Sequence, residues 1–78
     1  MSGRGAPIEI DLTGVPCPVT WARAKVRLEG AARGDRLAFL TDDARSARDI
    51  PRAAEAEAYD VVEVEELGTG RWRIVIEK

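Results

Sequence analysis

The stretch Ile8-Glu9-Ile10-Asp11-Leu12-Thr13-Gly14-Val15-Pro16-Cys17-Pro18 decides how the rest of this chain is read. Its first five residues alternate apolar and polar side chains. That is the period of a strand with one buried face, so Ile8, Ile10 and Leu12 are expected to point inward. Thr13-Gly14-Val15-Pro16 breaks the alternation and reads as a turn, with Gly14 free to take backbone angles that other residues avoid. Pro18 suits a first helical turn, where its missing N–H was unpaired in any case. A strand end, a turn and a helix start therefore enclose one cysteine.

Working outward, Trp21, Ala24, Leu28, Ala31 and Ala32 recur near helical spacing and predict a first helix from Pro18 to about Ala32. Gly30 weakens its last turn, and Gly34-Asp35 marks the exit. Arg36-Leu37-Ala38-Phe39-Leu40-Thr41 is a short apolar run expected as a central strand, closed by Asp42 and Asp43 as turn residues. The Ala-, Arg- and Glu-rich segment from Ser46 to Ala58 predicts a second helix. Ile50, Ala53, Ala54 and Ala58 fall on one side, Ser46 or Asp49 is available as the cap, and Pro51 favours the first turn.

Tyr59 to Leu67 sets Val62 and Val64 against Glu63 and Glu65. Arg71 to Glu77 sets Trp72, Ile74 and Ile76 against Arg73 and Glu77, and Gly68-Thr69-Gly70 between them reads as a hairpin loop. The element order is βαβαββ, an α/β (α+β) chain. A right-handed crossover makes the first two strands parallel, either adjacent or separated by one strand, and puts the helices on a sheet face. Residues 1–6 are small, polar and Gly-rich and read as a flexible N-terminal tail, leaving residues 7–78 as a single domain.

Composition narrows the chemistry. With 78 residues there is room for one compact unit, and a single Cys and no His leave no internal disulfide and no expected metal or cofactor site. A net charge of -2 supplies no global field to hold a phosphate backbone, so direct nucleic-acid binding is not expected. No apolar run approaches the roughly 20 residues that span a bilayer, and Met1 to Gly5 lacks the apolar stretch of a signal peptide. The expectation is a cytoplasmic protein with no membrane attachment.

Cys17 is the one conventional nucleophile in a placed environment. At a loop-to-helix junction, unpaired N–H groups and the positive end of the peptide dipoles favour its thiolate, while Pro16 and Pro18 restrict the chain on both sides. Local physics leaves a second reading open, in which Cys17 is a small buried hydrophobe at a strand–helix junction.

The run from Asp11 through Gly14, Pro16, Cys17 and Pro18, with Lys25 eight residues beyond the thiol, resembles the signature of the TusA-type (SirA-like) sulfur-carrier family. Gly34-Asp35, Thr41-Asp42-Asp43 and Asp49-Ile50-Pro51 match later landmarks in order, so the resemblance covers residues 8 to 78. It implies a two-layer sandwich, with two helices on one face of a mixed four-stranded sheet. It also implies that Cys17 takes sulfane sulfur as a persulfide and relays it, a sulfurtransferase activity, from a donor of the cysteine desulfurase or rhodanese type to an acceptor protein. Asp11, Gly14, Pro16, Pro18 and Lys25 are the supporting motif residues. The family pattern is Cys-Pro-x-Pro, whereas Thr20 stands here at the second proline. That position is expected on the surface a docking protein meets. Ala44, where many relatives carry Pro, is expected to slacken a loop.

Charge along the chain is polarised. Arg23, Lys25, Arg27, Arg33 and Arg36 face only Glu29 and Asp35 between residues 20 and 36, whereas residues 55–66 hold six acids and no cation. Arg23 and Arg27, with Trp21 near the thiol, are candidates for partner docking, although Trp21 also reads as a core anchor. The competing function is a non-catalytic adaptor or regulator of the same fold with a structural Cys17. The resemblance implies a place in sulfur metabolism, in tRNA thiolation, sulfur oxidation, cofactor biosynthesis or selenium handling.

Overall fold

The computed structural model describes residues 7–16 and 19–78, so the tail read at residues 1–6, and Cys17 and Pro18 themselves, lie outside the described residues. The elements are β1 (Ile8–Asp11), α1 (Val19–Gly30), β2 (Arg36–Thr41), α2 (Ala44–Ala56), β3 (Asp60–Gly68) and β4 (Arg71–Glu77). They form one four-stranded sheet in the order β1-β2-β4-β3. β1 runs parallel to β2, and both remaining pairs are antiparallel. The first two strands are therefore adjacent, as a right-handed β-α-β crossover permits.

The core lies between the sheet and the two helices. Ile10 and Leu12, Leu37 and Phe39, and Ile74 and Ile76 come from alternate positions of three strands and cluster with Ala24 and Leu28 of α1 and Ile50 and Ala54 of α2. Each large apolar side chain sealed there contributes roughly 1.5–3 kcal/mol. On the opposite sheet face, Arg73 reaches Glu9 at 3.7 Å and Glu65 at 4.0 Å, and Arg36 reaches Glu77 at 3.2 Å. One face is thus apolar under helices and the other carries crossed ion pairs.

Edges account for two departures from the alternation. Ile8 has the parity of Ile10 but is 52% exposed, because β1 is an edge strand and Ile8 lines an open groove beside the end of α1. Val62 and Val64 are also exposed. β3 is the other edge, its register breaks between Val61 and Glu63, and of its residues only Val61 packs on the core. A bulge of this kind inserts an extra residue and displaces the alternation beyond it.

Helix boundaries differ for local reasons. The first helix ends at Gly30 and Ala32 is exposed. The second starts at Ala44 rather than Ser46, because Asp43 caps it in extended geometry (φ -107°, ψ 119°) and accepts from the Arg45 N–H. Neither Ser46 nor Asp49 is the cap. Ala44 is the first helical residue rather than part of a loose loop, and Pro51 sits inside the helix, where it costs one backbone hydrogen bond. Burial of Ile50 and Ala54 on either side of it holds the helix through that gap.

At the far end of α2 the chain leaves by a Schellman turn, with the Tyr59 N–H donating to the Ala54 carbonyl at 2.9 Å and the Ala58 N–H to that of Glu55 at 3.0 Å. Ala58, expected on the buried helix side, is exposed at φ 68°, in the left-handed region that glycine normally fills.

Candidate functional site

The site is the end of the sheet where both helices begin. β1 continues past Asp11 through a ladder bond from the Leu12 N–H to the Leu40 carbonyl (2.8 Å) and then turns, the Val15 N–H donating to the Leu12 carbonyl at 3.1 Å. Gly14, at φ 82°, occupies the third position of that turn, which requires the left-handed region. The Asp11 carboxylate accepts from both the N–H (2.9 Å) and the hydroxyl (2.6 Å) of Thr13. Those two bonds, the hydroxyl first, with a smaller contribution from the charge of Arg71, hold its pKa below the ordinary carboxylate value.

A second loop supports the turn from the side. The Gly14 N–H donates to Asp42 Oδ1 at 3.0 Å, joining the residues before Cys17 to the β2–α2 connection. Gly14, Val15 and Pro16 face Asp42, Asp43, Ala44 and Arg45 across an open cleft of about 530 Å³. The Pro16 carbonyl accepts from the Thr20 N–H at 3.2 Å, the i to i−4 bond that opens α1. Of the motif residues read from the sequence, Asp11, Gly14 and Pro16 come together here, while Cys17 and Pro18 are outside the described residues.

Thr20 corrects an expectation. It is fully buried, not part of a docking surface, because positions 20, 24 and 28 form the stripe of α1 that turns inward. Its hydroxyl lies 2.6 Å from that of Ser46, which in turn donates to Asp43. This pairing went unread in the sequence. The available signal was Asp43 followed three residues later by Ser46, the spacing of a cap and a polar partner in the first helical turn.

Lys25 lies further along α1, and its ammonium is 3.1 Å from the Glu57 carboxylate at the end of α2. The hydrogen bond and the charge of Glu57 raise its pKa above the ordinary lysine value. Trp21 is half-buried against the core, whereas Arg23 and Arg27 are exposed and line a groove with Asp11 and Val26 on the β1 side of α1. The three docking candidates therefore do not share one surface. Among the described residues, no three His, Cys, Asp or Glu side chains gather to hold a metal ion, and no helix is long and apolar enough to cross a membrane.

Comparison with known proteins places this geometry. The family model described as Sulfurtransferase TusA matches residues 8–78. A provisionally named sulfur carrier protein of Archaeoglobus fulgidus is 36% identical over 69 residues, covering 88% of this chain and 78% of its own. Another, from Methanocaldococcus jannaschii, is 39% identical over 70 residues, covering 90% and 92%. The crystal structure of a SirA-like protein from Desulfitobacterium hafniense superposes with a TM-score of 0.78 at 31% identity, over 90% of this chain and 95% of that one. The two-helix, four-strand sandwich and the match across nearly all of its length agree: the chain belongs to the TusA sulfurtransferase family.

Proposed function

We propose that this protein is a sulfur carrier in which Cys17 is the accepting atom. The Cys17 thiolate attacks the outer sulfur of a donor persulfide, an S–S bond forms as the donor's S–S bond breaks, and the donor leaves as a thiolate. An acceptor nucleophile then attacks the outer sulfur of Cys17-S-SH and Cys17 leaves as a thiolate, so both steps are exchanges with no net oxidant. With a single Cys, the chain cannot resolve a mixed disulfide by itself, and donor and acceptor are other molecules. A donor of the cysteine desulfurase or rhodanese type and an acceptor protein in the same compartment, the cytoplasm, complete the relay.

The observation that carries this reading is the helical bond from Thr20 to Pro16, two residues that flank Cys17 in sequence. The first turn of a helix carries unpaired N–H groups and the positive end of the peptide dipoles, which favour a thiolate or persulfide anion near it. Asp11 and Gly14 support the segment through the turn, and exposed Arg23 and Arg27 steer an acidic partner surface. Trp21, packed against the core, and Lys25, paired with Glu57, act by holding α1 in place.

Incubation with a persulfide donor followed by intact mass measurement tests the proposal. The expected result is a gain of ~32 Da, one sulfur, that Cys17→Ser abolishes while leaving the protein folded. A folded wild-type protein that gains no sulfur would instead favour the adaptor reading.

A further inference from the structure

A buried polar chain joins the first turns of the two helices. Thr20 and Ser46 are both fully buried, and their hydroxyl oxygens are 2.6 Å apart. Ser46 donates its hydroxyl to Asp43 Oδ2 at 2.9 Å. A serine hydroxyl carries one proton, so with that proton committed to Asp43, Thr20 is the donor to Ser46. Asp43 is itself held, its N–H donating to Thr41 Oγ1 at 3.1 Å and its Oδ1 accepting from the Arg45 N–H at 3.3 Å. Thr20 is thus tied twice: by its N–H to the carbonyl before Cys17, and by its hydroxyl to α2.

We infer that Thr20 is a positioning residue for Cys17, fixing the opening turn of α1 to the N-terminus of α2 through Ser46 and Asp43. The inference rests on Cys17 being the sulfur acceptor. The first turn is where a helix frays most readily, since its N–H groups have no intrahelical partners. Buried hydroxyls are costly unless paired, and in this chain both are. A proline at position 20, as in the related motif, restricts its own backbone but has neither the N–H for Pro16 nor the hydroxyl for Ser46. Bonding to α2 does here what a ring constraint does there.

Because the chain has one Cys, alkylation by iodoacetamide reads Cys17 alone. Its rate against pH reports ionisation of the thiol, and loading from inorganic polysulfide, followed by intact mass, reports sulfur acceptance. Thr20→Val keeps the shape and drops the hydroxyl, Ser46→Ala cuts the chain on the α2 side, and Thr20→Ser retains it. The expected result is a midpoint about half a pH unit higher in Thr20→Val and Ser46→Ala, the scale of a charge at a helix N-terminus. Loading at a pH below that midpoint then slows about threefold, while Thr20→Ser matches wild type. A lowered melting temperature with an unchanged pH profile in both variants would overturn the inference and leave Thr20 a purely structural residue. A wild-type protein that takes no sulfur, with profiles still displaced as described, sinks the carrier proposal and leaves the positioning of the thiol standing.

Discussion

The Lys25 ammonium lies 3.1 Å from the Glu57 carboxylate, so the lysine eight residues after Cys17 clasps the end of α2. Both side chains are 38% exposed, which makes this a solvated pair of small worth at neutral pH. Its pH dependence has a definite sign. The lysine's pKa is raised on folding from its ordinary 10.5, so the contribution is fully present below that value and is lost as pH rises through the folded pKa. Urea titrations of wild type and Glu57→Gln should differ by a small constant amount from neutrality up to the approach to the lysine's ordinary 10.5, and the difference should vanish at strongly alkaline pH. A difference that grows with alkalinity contradicts the pairing.

Gly14 holds the turn before Cys17 at φ 82°, and a Cβ added there meets nothing among the described residues within 4 Å. Gly14→Ala therefore costs backbone strain alone, about 1–2 kcal/mol. Chemical denaturation should show that loss, and sulfur loading should slow with it because the same turn feeds Cys17. Unchanged stability would mean that the turn relaxes without penalty.

Ala58 presents the converse case, a non-glycine residue at φ 68° in the Schellman turn that ends α2. Ala58→Gly relieves the left-handed strain, partly offset by the greater freedom glycine has in the unfolded chain. A net gain of about 0.5–1 kcal/mol is expected, seen calorimetrically as a rise of roughly 2–8 °C in melting temperature. A fall would show that the turn does not hold in solution.

Phe39 is fully buried at the centre of the sheet between Ile10 and Ile74 of the neighbouring strands. Phe39→Ala should cost about 3–5 kcal/mol, comparable with the ~3–5 kcal/mol that a core of this size supplies. Loss of a cooperative thermal transition is the expected outcome. Phe39→Leu should keep the transition, at a cost under about 1.5 kcal/mol.

Element order, the β2 strand, the β3–β4 hairpin and the two-helix layer were legible in the chain because they follow from local periodicity and turn chemistry. The apolar alternation of Ile10 and Leu12, Leu37 and Phe39, and Ile74 and Ile76 needs no partner to be seen. The Asp11 to Pro18 motif likewise declares itself in sequence. What only the tertiary structure decided is which periodic positions end up covered. Ile8, Val62 and Val64 share the pattern of their neighbours yet stand at sheet edges, where no further strand among the described residues seals them. Thr20 is polar yet buried, because its stripe of α1 meets α2 and a hydroxyl 26 residues away satisfies it. Periodicity records the repeat of one element. Burial and pairing depend on what a second element places opposite, and that information is distributed between segments no local pattern connects.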